Sequence, residues 1–184
     1  MTVHVRGELG EKLGDHRIGK VWCRGSSLMH SYYRDPEATA ACMVDGWLDT
    51  GDMGYMADGY LFIVGRAKDM IIINGKNHWP QDIERAVEQL PGFHQGDIAA
   101  FALETESGDE VPAVLVHCRV SDPAERIRLH DEIRDKVRSI TGMNCIVELV
   151  PPRTLPRTSS GKLSRAKAKK LYLSGEIEPF KLAA

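Results

Sequence analysis

The segment Tyr60-Leu61-Phe62-Ile63-Val64-Gly65-Arg66-Ala67-Lys68-Asp69-Met70-Ile71-Ile72-Ile73-Asn74-Gly75 divides the chain. Two runs rich in β-branched and aromatic residues read as strands. Between them lies a short charged stretch with a glycine and no apolar periodicity. A hairpin precedes the first run, Gly54-Tyr55-Met56 turning at Asp58-Gly59, because Asp-Gly supplies the positive φ of a tight primed turn. The second run is expected to turn at Asn74-Gly75. The domain boundary therefore falls at Arg66 to Asp69.

Downstream, helices and strands alternate. Pro80 suits a first helical position, and Asp82 and Glu84 complement the dipole, so a helix is predicted from Pro80 to about Leu90. Strands are expected at Asp97–Leu103 and Val111–Arg119, joined by the polar stretch Glu104–Glu110. Pro123–Thr141 reads as an amphipathic helix with Ile127, Ile133, Val137 and Ile140 on one side, stopped by Gly142. A strand at Asn144–Val150 ends at Pro151-Pro152. A Thr/Ser/Gly loop then leads to a basic helix, Leu163–Leu173. This describes an α+β domain of about 115 residues with a mixed sheet.

Upstream, the pattern is sparser. Ile18–Cys23 and Trp47–Asp49 read as strands, and Asp35-Pro36-Glu37 starts a short helix with Asp35 as its cap. Residues 1 to about 16 are expected to be an irregular lead-in without chemistry. These pieces share too few apolar faces for a core of their own and read as the edge of something larger.

Composition sets outer limits. Of the 184 residues, 42% are apolar and 27% charged, which suits a packed globular chain. A net charge of −2 argues against a chain that binds nucleic acid as a whole. Cys23, Cys42, Cys118 and Cys145 form no C-x-x-C pair and no zinc-ligand spacing, so free thiols and no bound metal are expected. No apolar run approaches the length of a membrane span. A cytoplasmic location is the expectation.

Three short stretches carry candidate chemistry. In Thr50-Gly51-Asp52-Met53-Gly54 a carboxylate on a glycine-flanked turn can accept hydrogen bonds from adjacent hydroxyls, or can simply stabilise the turn. Arg66 offers a rigid planar fork suited to ribose or phosphate oxygens, or is an ordinary surface arginine. The third is Pro156-Arg157-Thr158-Ser159-Ser160-Gly161-Lys162-Leu163-Ser164-Arg165. A phosphate-binding P-loop would need glycine at Pro156 and a hydroxyl residue at Leu163, so this is a different loop. Lys162 is either a movable cation for developing negative charge or part of a solvated basic helix cap. The seven basic residues from Arg153 to Lys170 lack interleaved aromatics and read as a solvated face. His78, His94 and His117 have no Ser or Cys partner at a recognisable spacing and are read as core or surface histidines.

Taken in order, these segments resemble the acyl-adenylate-forming (AMP-binding) ligase superfamily from about Ile18 to Gly175. Ile18 to Gly25, Tyr33 to Thr39 and Gly46 to Asp52 resemble the end of its large N-terminal domain. Gly65-Arg66-Ala67-Lys68-Asp69 resembles its hinge, and Ser160-Gly161-Lys162 its catalytic-lysine loop. The resemblance implies that residues 1–65 close the large domain, 66–69 form the hinge, and 70–184 form the small C-terminal α+β domain. It further implies that Asp52 and Arg66 hold the ribose of ATP, that Lys68 is the pivot, and that Lys162 bridges the acyl carboxylate and the α-phosphate. Gly75 would lie on the loop that meets the phosphopantetheine thiol, its missing side chain fitting a close backbone approach.

Asn77-His78-Trp79-Pro80-Gln81-Asp82-Ile83-Glu84 is similar to the corresponding segment of fatty acyl-AMP ligases. That likeness implies an acyl carrier protein as acceptor and partner, together with the ligase's own N-terminal domain. ATP is implied, with Mg2+ held by residues outside this chain. The family's phosphate loop, adenine site and acyl pocket have no counterpart in these 184 residues, so the chain alone is expected not to complete adenylation. The alternatives are a CoA ligase of the same superfamily and a non-catalytic partner-binding module.

Overall fold

A computed structural model describes residues 1–73, 75–105, 108, and 110–182. Asn74, the first half of the expected turn at Asn74-Gly75, lies outside the described residues, as do Glu106, Ser107 and Asp109 of the expected strand connection. The chain divides into two compact units, Met1–Lys68 and Asp69–Ala184.

The first unit is built on a five-stranded sheet. Its strands are β1 (Thr2–Arg6), β2 (Gly19–Arg24), β3 (Met43–Val44), β4 (Trp47–Ala57) and β5 (Tyr60–Arg66), with the short helix α1 (Pro36–Cys42) before β3. The order is β1-β2-β4-β3, and β5 also pairs with β4. The N-terminal residues are thus not an irregular lead-in. Thr2-Val3-His4-Val5-Arg6 pairs antiparallel with β2, Val5 opposite Val21, and both valines are buried. The period-two alternation was there to be read, and pairing with β2 stabilises it.

Trp47–Asp49 and Gly54–Met56, expected as separate strands, form one long strand because a register shift between Met53 and Gly54 lets it bend without breaking. A β-carbon at Gly54 would stand 2.5 Å from the Phe62 carbonyl oxygen, so this bend requires glycine. The Asp58-Gly59 turn has φ of 50° and 79°, the primed geometry its sequence predicts. Asp35 caps α1, its carboxylate accepting the Ala38 N–H at 2.9 Å.

A 3-10 turn, Ala67–Asp69, follows β5. The second unit contains the ribbon β6 (Ile71–Ile73) and β7 (Lys76–His78), then α2 (Pro80–Glu88), β8 (Ile98–Glu104), β9 (Glu110–His117), α3 (Pro123–Thr141), β10 (Ile146–Val150) and α4 (Arg165–Leu173). The sheet order is β10-β9-β8, with β8 and β9 antiparallel and β9 and β10 parallel across the α3 crossover. The second unit is the mixed-sheet α+β domain that the alternation predicts.

Both faces of this sheet are covered, which explains the near-continuous apolar runs of β8 and β9. On one face Ile98, Ala100, Val114 and Val116 pack with Ile83 and Val87 of α2 and Ile133 and Val137 of α3. On the other, Ala99, Phe101, Ala113 and Leu115 meet Ala168 of α4 and Leu155 of the loop before it. Each large aliphatic side chain fully buried here stabilises the fold by about 1.5–3 kcal/mol.

Helix α3 has the predicted ends, capped by Asp122 and stopped by Gly142 in the left-handed region. Its buried stripe differs: Ile127 and Ile140 are exposed, and Leu129, Ile133, Val137 and Thr141 face inward. Those four positions share a four-residue stride and so lie on one face. Helix α4 starts at Arg165 rather than Leu163, because Ser164 N–H donates to the Pro156 carbonyl at 3.0 Å and Leu163 bridges to Arg157.

Candidate functional site

In the first unit, the β4–β5 register places Asp52 directly opposite Arg66. Arg66 Nε lies 3.1 Å from Asp52 Oδ1, and Arg66 Nη1 donates to the Thr50 carbonyl at 2.9 Å. The turn beneath them is tied at three points. Thr50 Oγ1 donates to Val21 O at 2.9 Å, Asp52 N–H donates to Thr50 Oγ1 at 3.1 Å, and Gly51 N–H donates to Asp49 Oδ1 at 2.9 Å. Gly51 has φ +72°, and a β-carbon there would meet Arg66 Nη1 at 3.0 Å, so a side chain would be strained and would also press on the guanidinium. The side chains of Asp52 and Arg66 remain 34% and 52% exposed, which leaves an acceptor and donors for a polyhydroxyl ligand.

In the second unit, Lys162 stands at the tip of a loop that crosses from β10 to α4. The loop is held as an irregular hairpin. Thr158 N–H donates to the Lys162 carbonyl at 2.8 Å, Gly161 N–H to Thr158 O at 2.9 Å, and Lys162 N–H to Thr158 Oγ1 at 3.1 Å. Arg157 ties the hairpin inward, with Nη1 on Gly161 O at 3.0 Å and Nη2 on Gly96 O at 3.2 Å. The Lys162 side chain is exposed and its ammonium has no hydrogen-bond or ion-pair partner among the described residues. It borders a cavity of about 530 Å³ whose charged lining includes Glu84, Arg85, Glu88, Arg157 and Arg165.

Lys68 is exposed in the 3-10 turn. Gly75, between β6 and β7, has φ +71° and nothing within 4 Å of where a β-carbon would stand. It is not among the residues lining the Lys162 cavity. Among the described residues no group of three or more His, Cys, Asp or Glu side chains could hold a metal ion. No helix among the described residues is long and apolar enough to cross a membrane.

In sequence, 175 residues are 46% identical to a Caulobacter vibrioides protein named as an acyl-CoA synthetase, covering 94% of this chain and 30% of that protein. The long-chain-fatty-acid–AMP ligase FadD26 of Mycobacterium marinum is 33% identical over 175 residues, covering 85% of this chain and 30% of the relative. In structure, the chain superposes with TM-score 0.83 and 40% identity on a protein solved in work on fatty acyl-adenylate ligases from E. coli and L. pneumophila, covering 95% of this chain and 31% of that one. The chain belongs to the acyl-adenylate-forming ligases. Another member, McyG A-PCP complexed with phenylalanyl-adenylate, superposes with TM-score 0.84 at 30% identity, over 95% of this chain and 32% of that chain. No family model matches the chain. It spans about 30% of the length of the curated ligases it matches and corresponds to their C-terminal portion.

Two clusters in this chain went unassigned from sequence. Arg165 makes two hydrogen bonds to Glu84, Nε to Oε1 at 2.7 Å and Nη2 to Oε2 at 2.6 Å, and its Nη1 lies 3.5 Å from Asp69 Oδ2. The Glu84 hydrogen bonds, against the counter-effect of burial, push the Arg165 guanidinium further up. A cation at the first position of α4 opposes the helix dipole unless it is paired, and that was the available signal.

The second cluster surrounds His117, which is buried as a core histidine and faces polar partners on both ring nitrogens. Burial favours a neutral Asp97, but hydrogen bonds from Arg119 at 2.7 and 3.0 Å and from the His94 N–H at 2.9 Å outweigh it and hold the carboxyl well below the usual carboxylate range. His117 Nδ1 faces Asp97 Oδ1 at 3.4 Å, and Nε2 accepts the Leu155 N–H at 3.1 Å. No pattern of neighbouring residues announces this pairing.

Proposed function

We propose that this chain supplies the small domain, hinge and ribose-binding edge of a fatty acyl-AMP ligase acting with its own large N-terminal domain. ATP, when bound, supplies the adenylyl group and a pyrophosphate leaving group. The fatty acid carboxylate attacks the α-phosphorus and the bond to pyrophosphate breaks. In the second step the thiol of an acyl carrier protein's phosphopantetheine arm attacks the acyl carbon, AMP leaves with the C–O bond electrons, and the thiol proton passes to solvent.

The observation that carries this reading is Lys162. An unpaired ammonium at the tip of a loop whose backbone is tied at each end is a preorganised cation, costing little to place against charge developing between carboxylate and phosphate. Asp52 and Arg66 support it as acceptor and donors for the ribose hydroxyls. Lys68 is assigned as the pivot, and Gly75 as the backbone that approaches the thiol.

The test is Lys162→Ala in the full-length ligase. Pyrophosphate exchange, which reports adenylation alone, should fall by about 10² or more, while acyl transfer from supplied acyl-AMP persists. Exchange near the wild-type rate would remove Lys162 from this role. A second reading, CoA as the acceptor, is favoured by the 46% identity to the Caulobacter acyl-CoA synthetase. Comparing CoA with holo-carrier protein as acceptor under the same conditions separates the two.

A further inference from the structure

We infer that His117 is a positioning residue for Lys162, fixing the base of the lysine loop by accepting the Leu155 amide on Nε2 while Asp97 holds its proton on Nδ1. The inference rests on the assignment of Lys162 to adenylation and extends it to residues that touch no substrate.

A ring nitrogen that accepts a hydrogen bond carries no proton, so the Leu155 contact places the His117 proton on Nδ1, facing Asp97. Asp97 is itself immobilised by Arg119 and the His94 N–H, and its backbone carbonyl accepts the His117 N–H at 2.9 Å. Asp97 and His117 are 4% and 5% exposed, so their partners are mainly those the protein supplies. The Leu155 amide is equally sequestered, and a buried N–H must find an acceptor.

Leu155 is where the loop enters the core. Its side chain is buried against Phe101 and Ala168, and the next residue, Pro156, accepts the Ser164 N–H that closes the hairpin carrying Lys162. Residues 156–164 are therefore held through Leu155 on one side and α4 on the other, with the Arg157 contact to Gly96 O at 3.2 Å as a third tie. Releasing the Leu155 amide would let the Lys162 ammonium wander, and a misplacement of about 1 Å can cost about 10²-fold in rate.

Charge around the ring acts in the same sense. Protonation would turn Nε2 into a second donor facing the Leu155 N–H. Burial lowers the His117 pKa most, Asp97 opposes, and Arg119 and Arg157 lower it further, so the ring stays in the accepting form at neutral pH.

The experiment separates the two ring nitrogens. His117→Asn keeps a donor where Nδ1 stands but offers nothing to Leu155; His117→Gln can place an acceptor where Nε2 stands. Amide hydrogen exchange of the 184-residue chain should be at least about tenfold faster for Leu155 and for residues 157–163 in H117N, with α3 unchanged, and largely restored in H117Q. In the full-length ligase, kcat for pyrophosphate exchange should fall about tenfold or more in H117N with KM for ATP unchanged, and H117Q should recover most of it. Wild-type loop protection in H117N, or an H117Q as impaired as H117N, overturns the inference. If H117N does not fold, nitrogen-15 shifts of the wild-type ring decide: Nε2 must be the unprotonated nitrogen at neutral pH, and a proton there refutes the anchor. Lys162→Ala run alongside distinguishes the failures, since unchanged activity in that variant refutes the Lys162 assignment while the exchange data still judge His117.

Discussion

Arg165 and Glu84, 81 residues apart in sequence, meet as a two-point ion pair at 2.7 and 2.6 Å, and the same guanidinium approaches Asp69 at 3.5 Å. Glu84 is buried and also accepts the Ala100 N–H at 3.0 Å, so the pair joins α2, the edge strand β8 and the start of α4. A buried ion pair contributes little beyond an apolar replacement of both partners, but removing one partner strands the other. Arg165→Met should therefore destabilise the chain by about 3–5 kcal/mol in denaturant unfolding. The double variant Arg165→Met with Glu84→Leu should recover a good part of that. A single-variant cost below about 1 kcal/mol would mean that Glu84 reaches water in solution.

Asp97 sets an acid limit on stability. Its folded pKa lies below the ordinary value of 3.8, because Arg119 and the His94 N–H outweigh the burial that would raise it. A depressed carboxylate contributes stability that is fully present above the unfolded pKa and is lost as pH falls through the folded one. Asp97→Asn should be less stable than wild type by about 2 kcal/mol near pH 7. The gap should narrow as pH drops below about 4. Urea unfolding at a series of pH values gives both curves. Parallel curves down to about pH 2 would show that Asp97 keeps no special charge state in the fold.

Lys68 is exposed within a 3-10 turn at the junction of the two compact units. Proline there would hold φ at about −65°, restrict Ala67 before it, and bar the large backbone rotation a hinge must make. In the full-length ligase Lys68→Pro should preserve pyrophosphate exchange within a few-fold and slow acyl transfer to holo-carrier protein by about tenfold or more. Transfer at the wild-type rate would make Lys68 an ordinary surface lysine.

Local chemistry was legible wherever the physics is local. The ends of α3 follow from Asp122, Pro123 and Gly142, and the Asp58-Gly59 turn from the φ values those two residues tolerate. The candidate residues Asp52, Arg66 and Lys162 stood out by residue type and by their neighbours. β1 was missed because five alternating residues are marginal until β2 pairs with them. The buried face of α3 was misplaced because Ile127 and Ile140 are as apolar as Ile133, and only the packing partner decides which are covered.

By itself, then, the sequence determined the α+β alternation, the loop that carries Lys162 and the family to which the chain belongs. Each depends on residues close together in the chain or on motifs in a set order. Only the tertiary structure decided that Asp52 and Arg66 are cross-strand partners, that Arg165 neutralises Glu84, and that His117 holds Leu155 from 38 residues away. A hydrogen bond or ion pair forms between groups about 3 Å apart in space, and sequence separation carries no information about that distance until the sheet and its helices bring the strands together.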